Sequence, residues 1–389
     1  MPRELGAPVE FLPTDRREAD KGIAICLSGG GYRAMLFHLG ALWRLAELGY
    51  LSSQAQGDRG TLERVSSVSG GSITSAVLGW KWQSLNVDEA SVVNRFITEV
   101  VEPVRELAGK TLIGLGSGVL AMILPGSIND WVAEGYCKRL YGNATLQDLP
   151  DRPRFVINAT NLQSGVLWRF SKPYMWDWRV GKIERPTVSL ARAVAASSAF
   201  PPFLSPARFK FRDSDYTPNS GKGLQQPPFT TNPVLSDGGV YDNLGLETAW
   251  KRYKTLLVSD AGGQMECRGK IANDWVRQSY RVLNVIDNQV RSLRKRNLIA
   301  SYLNGERAGA FWSIRGDIAD YHVPNALPCP HDKTIKLAEV KTDLAKKAPV
   351  LQERLINWGY AICDAGMRRY VDSSLPPPSG FPYPSAGIG

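Results

Sequence analysis

The sequence predicts an α/β fold in which a central, mostly parallel sheet carries helices on both faces. Short apolar runs rich in β-branched residues alternate with longer segments whose apolar residues recur at helical spacing. Two early runs end in glycine-rich turns that open directly into helical patterns. We interpret this alternation as one large domain without internal repeats.

The predicted strands cover residues 23–27, 62–68, 155–159, 166–170, 255–259 and 311–314. The predicted helices cover residues 33–47, 73–82, 89–107, 130–140, 190–196, 244–253, 275–303 and 350–370. Residues 208–233 are polar and rich in glycine and proline, so we expect a long surface loop there.

The same pattern predicts three parts of the chain. We expect an N-terminal arm over residues 1–21 and a single domain over 22–371 that includes a helical insertion at about 84–150. The rest, 372–389, is a tail rich in proline and glycine that cannot build a core, so we expect it to be extended or mobile.

Composition indicates a globular protein made in a reducing compartment. The chain has 389 residues, of which 43% are hydrophobic, so it can bury a large core. Its first residues are charged and lack an apolar stretch, which argues against a secretory signal. Five scattered cysteines without a CxxC pair argue against a disulfide framework or a structural zinc site. We therefore expect a cytoplasmic protein without a metal or cofactor.

The net charge favours anionic partners. Lys and Arg number 47 against 37 Asp and Glu, a formal charge of +10 that suits phospholipid headgroups or nucleic acid, although a solvated basic surface is the more frequent explanation. No apolar stretch reaches the roughly 20 residues that span a bilayer. The nearest, residues 111–126, is uncharged, and three interpretations of it remain open: a buried helix, a mobile cap or an interfacial segment.

The predicted helix over 275–303 is the candidate for membrane contact. It alternates apolar and basic residues at helical spacing, and its basic residues cluster at Arg291, Arg294, Lys295 and Arg296. Such a helix can lie on anionic lipid, so we expect peripheral contact with a membrane surface. A solvated basic face above a stripe of core residues is the more frequent structure for this pattern.

The turn SGGGYRAM, residues 28–35, is an anion site by construction, because backbone N–H groups and a helix N-terminus point outward there. Gly29, Gly31 and Ala34 satisfy the dinucleotide fingerprint G-x-G-x-x-G/A. That fingerprint needs an acidic residue at the end of the next strand, but LERVSS ends in serines, and Glu47 falls inside a helical pattern. A dinucleotide-binding oxidoreductase is therefore the weaker alternative.

The second predicted strand ends in a candidate nucleophile elbow. The segment RVSSVSGGSITS passes from β-branched residues through Ser69 and Gly71 into a helix, which is the strand, sharp turn and helix of a serine elbow. In the G-x-S-x-G frame the first position holds Ser67, a small residue that fits. The structural alternative is a helix cap formed by Ser69 or Ser72.

A serine nucleophile needs a base, and the histidines offer little. They are His38, His322 and His331. His38 lies in an apolar helical pattern and suits a packed core residue, while the other two lie in sequence punctuated by proline. A conventional triad with a late histidine stays open as an alternative.

The other candidate base is Asp237, which Gly238 and Gly239 follow in LSDGGVYDN. Two glycines let a carboxylate approach another backbone closely. Because aspartate is a weak base for a serine hydroxyl, such a pair needs a dry pocket and strong oxyanion donors. An ordinary Asp-Gly turn is the structural alternative.

Together these segments resemble the patatin-like phospholipases. The resemblance rests on SGGGYRAM, the serine elbow, AASSAFPP at 195–202, DGGVYDN at 237–243 and INATNLQSGVLWRFS at 157–171, which occur in family order over roughly residues 22–260. The first of them is also similar to the glycine-arginine loop of the related cytosolic phospholipases A2.

The resemblance implies a three-layer α/β/α fold and a lipid acyl hydrolase with a Ser-Asp dyad. Ser69 would be the nucleophile and Asp237 the base, while the amides of Gly29, Gly30 and Gly31, chiefly the last two, would hold the oxyanion. Arg33 would pair with the phosphate of a phospholipid or lysophospholipid substrate.

Two departures from the family pattern are Ala34, an exchange shared with the cytosolic enzymes, and Ser67. An acyltransferase or thioesterase on the same fold stays open. So does a non-catalytic basic module for lipid or nucleic acid, although no motif supports nucleic-acid binding. The sequence does not indicate an oligomeric state.

Overall fold

The computed structural model describes residues 19–52, 60–87, 91–112, 128–202 and 204–389. Ten strands form one sheet. They are β1 Asp20–Leu27, β2 Leu62–Val68, β3 Arg154–Asn161, β4 Val166–Phe170, β5 Tyr174–Asp177, β6 Gly181–Glu184, β7 Ala207–Arg208, β8 Val234–Asp237, β9 Tyr253–Asp260 and β10 Ala308–Ser313.

The helices of the described residues vary greatly in length. They are α1 Gly31–Glu47, α2 Gly70–Leu85, α3 Val92–Phe96, α4 Glu102–Ala108, α5 Ile128–Tyr136, α6 Leu190–Ser197, α7 Gly239–Asp242, α8 Glu247–Trp250, α9 Trp275–Leu303, α10 His331–Ala338 and α11 Pro349–Tyr370. Ile97–Val101 and Cys137–Tyr141 are π-helical.

The strand order is β10-β9-β1-β2-β3-β4-β5-β6, with β8 paired to β3 and β7 to β8. The five strands from β10 to β3 are parallel, and the pairings beyond them are antiparallel. The predicted α/β class, with a central, mostly parallel sheet flanked by helices, is confirmed. In the parallel part, the carboxyl ends of β1, β2 and β9 share one edge, where the glycine-rich turn and the elbow also lie.

Strand β1 is buried on both faces from residue 23 to residue 27, which is why that stretch is apolar. Ile25 and Leu27 belong to the large core that α1, α2 and α11 help to form. Ala24 and Cys26 point to the other face, into a smaller core that contains Leu298 of α9. Side chains alternate along a strand, so these two cores define the two helical layers.

Several predicted elements differ from the structure. The predicted helix over 244–253 is only the short α8, because β9 begins at Tyr253. A helix, α10, occurs in the proline-punctuated region where we expected none. The short strands β5 to β8 were not predicted either. Each holds four residues or fewer, and its place depends on pairing rather than on a local apolar run.

The tail over 372–389 has no helix or strand, and it packs on the domain. Leu375 and Ile388 are buried in the large core. The Asn357 amide donates to the carbonyl oxygens of Tyr383 and Gly387, each at 2.8 Å. Side-chain donors on α11 thus satisfy backbone acceptors of an irregular segment. The loop over 208–233 is mostly irregular as expected, although Phe209 and Tyr216 are buried.

Between α2 and β3 the described residues are helical or irregular, in the region where we expect an insertion at about 84–150. Residues 113–126 of the apolar stretch lie outside the described residues, as does most of the expected N-terminal arm. In the part of the chain that the structure describes, no helix is both long and apolar enough to cross a membrane. The same part contains no cluster of side chains suited to hold a metal ion.

Candidate active site

Ser69 lies in a strained turn between β2 and α2. Its φ is 49° and its ψ is −118°, which few residues other than glycine adopt, and 9% of its surface is exposed. The Ser69 amide donates to the Ser197 hydroxyl at 2.9 Å, and that hydroxyl donates to the Asn158 carbonyl at 2.6 Å. The surroundings thus hold the strained turn in place, as the elbow interpretation expects.

Sheet register brings Asp237 to the elbow. On one side of β3, Val68 at the end of β2 pairs with Asn158, and Asp237 at the end of β8 pairs with Ala159. Because β2 is parallel and β8 antiparallel to β3, the two strands meet end to end there. The last residue of β8 therefore lies beside the first residue after β2.

The Ser69 hydroxyl lies close enough to the Asp237 carboxylate to lower its pKa. The same carboxylate accepts the Gly239 amide at 2.7 Å, while the Gly238 amide donates to the Ser197 carbonyl at 3.2 Å. Asp237 is 2% exposed. Burial raises the pKa of Asp237 from 3.8 to about 7, although the Gly239 amide and the Ser69 hydroxyl lower it. A carboxylate of this pKa can accept a proton near neutral pH.

The glycine-rich turn covers the elbow. A Cβ atom on Gly70 would collide with the carbonyl oxygen of Gly31, so only glycine allows this approach. The Gly71 amide donates to the Ser28 carbonyl at 3.2 Å and ties the two turns together. Gly30 has a φ of 146°, which a side chain would oppose.

The amides of Gly30 and Gly31 have no acceptor among the described residues. The amide of Gly70, the residue after Ser69, has none there either. Gly29 differs, because its amide donates to the Asn243 carbonyl at 3.0 Å. Gly29 therefore shapes the turn. The other two predicted oxyanion donors, the amides of Gly30 and Gly31, remain available beside Ser69, and the Gly70 amide is a further donor that the sequence did not predict.

Comparison with known proteins decides the family. A family model described as patatin-like phospholipase matches residues 25–250, more than half of the chain, and that range includes Gly30, Ser69 and Asp237. The chain belongs to the patatin-like phospholipase family. Membership supports a lipid hydrolase over a dinucleotide-binding oxidoreductase. Glu47, the acidic residue that a dinucleotide-binding site would need for the ribose, instead accepts hydrogen bonds from Arg44 at 2.9 Å and from Tyr360 at 2.5 Å.

Solved structures similar to this patatin-like phospholipase share 14–16% sequence identity with it. Human GIVD cytosolic phospholipase A2 is 16% identical, with a TM-score of 0.39 over 62% of this chain and 43% of that one. In complex with methyl gamma-linolenyl fluorophosphonate it is 14% identical, with a TM-score of 0.47 over 92% and 58%. VipD from Legionella pneumophila is 15% identical, with a TM-score of 0.34 over 89% and 66%.

The chain thus spans 43–66% of the length of these solved chains. No curated protein matches the chain.

Arg33 of this patatin-like domain lies inside the protein, with 3% of its surface exposed. Its guanidinium donates to the Ala261 carbonyl at 2.9 Å and to the Val340 carbonyl at 2.5 Å. Burial lowers the pKa of Arg33 to about 10, and Arg315 lowers it further. Three of its five N–H groups are engaged in this way, and phosphate binding by Arg33 stays a prediction.

None of the three histidines bonds to Ser69 among the described residues of the patatin-like domain. His38 is buried between the Ser259 hydroxyl, 2.8 Å from Nδ1, and the Ser28 carbonyl, 2.9 Å from Nε2. His331 Nδ1 lies 4.0 Å from Asp317. The contacts of Ser69 therefore favour the dyad over a conventional triad.

Sequence reasoning missed two residues that support the site. Ser197 holds the elbow amide, and Asn243 links the glycine-rich turn to the turn after Asp237. Both fall in segments on which the resemblance rests, AASSAFPP and DGGVYDN, but their contacts lie far away along the chain. The one sequence signal that pointed to them was their position inside these two family motifs.

Proposed function

We propose that this chain cleaves fatty acyl esters of phospholipids or lysophospholipids through a Ser69–Asp237 dyad. The observation that carries the proposal is the sheet register, which places Ser69 beside a buried carboxylate whose pKa is about 7. A serine paired with a carboxylate of ordinary pKa would meet a much weaker base.

In the first step Ser69 Oγ attacks the ester carbonyl carbon and transfers its proton to Asp237. The carbonyl oxygen gains the negative charge, and the amides of Gly30, Gly31 and Gly70 donate to it. Collapse of this intermediate breaks the bond to the lysolipid alcohol, which takes the proton from Asp237 as it leaves. The acyl group remains as an ester of Ser69.

Water completes the cycle. Asp237 takes a proton from a water molecule that attacks the acyl carbonyl, and the same amides stabilise the second oxyanion. The bond to Ser69 Oγ then breaks and the hydroxyl recovers the proton, which releases a fatty acid. No step requires a histidine, in agreement with the contacts of Ser69.

A lipid hydrolase must reach its substrate in a membrane, and we propose that α9 makes that contact. Its apolar side chains point outward: Trp275 is 79% exposed, Leu283 61% and Leu303 83%, while Leu298 is its single buried apolar residue. The orientation is the reverse of a solvated basic face above a stripe of core residues, the more frequent structure for this sequence pattern. Eleven large apolar residues of α9 are exposed, far more than isolated surface residues would explain.

The side of α9 that packs on the domain is charged. Lys295 forms an ion pair with Asp260, and Arg294 lies 3.2 Å from Glu247 and 3.8 Å from Asp242. Arg291 of α9 and Asn243, in the turn after Asp237, both lie against Gly262, so the helix runs close to the dyad. An apolar face beside the dyad, on a chain of charge +10, suits the surface of an anionic bilayer. We propose a cytoplasmic protein that binds membranes peripherally through this face.

The test is fatty acid release from mixed phospholipid vesicles by the wild type and two variants. Ser69→Ala and Asp237→Asn should each lose activity by at least about a thousand-fold, because either change removes half of the dyad. Ser75→Ala, which removes a buried hydroxyl of α2 without a described partner, is the matched control and should keep most of the activity.

Full activity in Ser69→Ala would refute the dyad. Activity retained in Asp237→Asn and lost in His331→Ala would restore a conventional triad. Vesicle binding without any dependence on anionic lipid or salt would refute the proposed membrane contact.

A further inference from the structure

A polar cavity of about 410 Å³ lies at the amino ends of the parallel strands. Four arginine side chains line it together with carboxylates and Tyr253. They are Arg64, Arg152, Arg154 and Arg252. The dyad lies at the opposite edge of the sheet, so the strands separate the two sites by roughly 20 Å. The cavity is therefore not part of the acyl-ester site.

Two of these arginines are neighbours by strand register. Arg64 of β2 pairs directly with Arg154 of β3, which places two positive charges side by side. Arg64 is 3% exposed, and its pKa is lowered first by burial and further by Arg252 and Arg154. The fold alone gains nothing from this arrangement of buried like charges.

The potential around the cavity is positive enough to act on a nearby phenol. Burial by itself would raise the pKa of Tyr174, yet that pKa is lowered, because Arg64, Arg154, Arg169 and Arg252 lie around the hydroxyl. Three of the cavity arginines, together with Arg169, thus stabilise negative charge at the Tyr174 hydroxyl.

The guanidinium groups have few partners among the described residues. Arg154 and Arg252 make no side-chain hydrogen bond and no ion pair there, and Arg64 donates only to the Thr248 carbonyl. The buried Nε atoms of Arg64 and Arg154 have no acceptor in the described structure. Native proteins rarely leave buried donors unpaired, so an acceptor is expected.

Of the three carboxylates that line the cavity, one lies near a cavity arginine and one lies near a cation outside the cavity. Glu63 lies 4.0 Å from Arg152, and Asp151 lies 3.3 Å from Lys172. Tyrosine rings instead support the inner arginines, with Arg64 5.3 Å from the Tyr253 ring centre. A ring beneath a guanidinium fixes its plane and leaves its N–H edge free for a ligand.

We propose that this cavity binds a phosphate-bearing anion. Guanidinium groups match phosphate oxygens with paired hydrogen bonds, and a group with several negative charges would neutralise the arginines that face each other here. The phosphate comes either from a free phosphorylated molecule or from a lipid headgroup. The proposal does not rest on the acyl hydrolase function, because binding can be measured without turnover.

The experiment compares pyrophosphate with vesicles that contain phosphatidic acid. Titration calorimetry with pyrophosphate should show saturable binding to the wild type, and Arg252→Gln and Arg154→Gln should each weaken it about ten-fold or more. Arg208→Gln, which changes an exposed arginine on β7, is the control and should bind as the wild type does. Without pyrophosphate, Arg252→Gln should unfold at the same temperature as the wild type or higher, because it removes repulsion.

Saturable binding of pyrophosphate that only the cavity variants lose supports a free phosphate source. Vesicle binding that Arg252→Gln loses, without pyrophosphate binding, supports a headgroup. The proposal is overturned if neither probe binds saturably, if Arg208→Gln weakens binding as much as the cavity variants, or if Arg252→Gln unfolds the protein without pyrophosphate.

Discussion

Replacement of Asp237 by asparagine should stabilise the fold at alkaline pH while it abolishes activity. The carboxyl has an ordinary pKa of 3.8 and a folded pKa of about 7, because burial penalises its charged form. Between these two values the folded chain holds a proton that the unfolded chain has lost. The free energy of unfolding therefore falls by about 1.4 kcal/mol per pH unit and levels off above pH 7.

The whole shift corresponds to about 4 kcal/mol, of which about 3 kcal/mol is lost between about pH 5 and pH 8.5. Asparagine does not titrate and can still accept the Gly239 amide through its side-chain oxygen. All other titrating groups are common to both proteins and cancel. The stability of Asp237→Asn relative to the wild type should thus increase by about 3 kcal/mol over this range.

Urea unfolding followed by circular dichroism at both pH values measures this difference. The pH dependence of the difference is informative even if the substitution has a constant cost of its own. If the difference between variant and wild type is the same at both pH values, Asp237 has no raised pKa, and its role as a base near neutral pH loses its physical basis.

Three further predictions concern the base, the elbow and α9. The kcat/KM of the wild type should fall about ten-fold per pH unit below pH 7 and be level above it; a plateau down to about pH 5 would exclude this base. Ser197→Ala should lower kcat about ten-fold or more with little change in KM, since the elbow amide loses its acceptor. Ser75→Ala, which removes a buried hydroxyl without a described partner, should keep its kcat. Equal effects of the two substitutions on kcat would contradict the positioning role of Ser197. The double variant Leu283→Ser with Ile286→Ser should bind anionic vesicles about thirty-fold more weakly in cosedimentation, at about 1 kcal/mol per side chain. Val87→Ser, which changes an exposed apolar residue outside the helices, should bind as the wild type does. Equal losses of binding would argue against α9 as the contact.

The elements that the sequence predicted well are those with strong local patterns. The predicted strands over 62–68 and 166–170 coincide with β2 and β4, and the predicted helix over 275–303 coincides with α9. Periodicity identifies two faces of a helix but not which of them faces the protein. That choice depends on the ion pairs of Lys295 and Arg294 with distant carboxylates, so the sequence alone left both orientations of α9 open.

The candidate site shows the same division. The elbow at Ser69 follows from a strand, small residues and a helix in succession, all of which are local. The burial of Arg33 and the acceptor role of Ser197 depend on contacts with residues more than a hundred positions away. The packing of the tail depends on Asn357, whose amide bonds to carbonyls 26 and 30 positions further along and compensates for a segment with little apolar surface.

The central claim is that Ser69, activated by Asp237, is the nucleophile. Incubation with a long-chain alkyl fluorophosphonate, followed by intact mass and peptide mapping, tests it directly. The serine oxygen replaces fluoride on phosphorus, so the wild type should gain one phosphonyl group on Ser69. Ser75→Ala should gain it as fast, and Asp237→Asn should react far more slowly. A phosphonyl group on another residue, or labelling of Ser69→Ala at the rate of the wild type, would contradict the account.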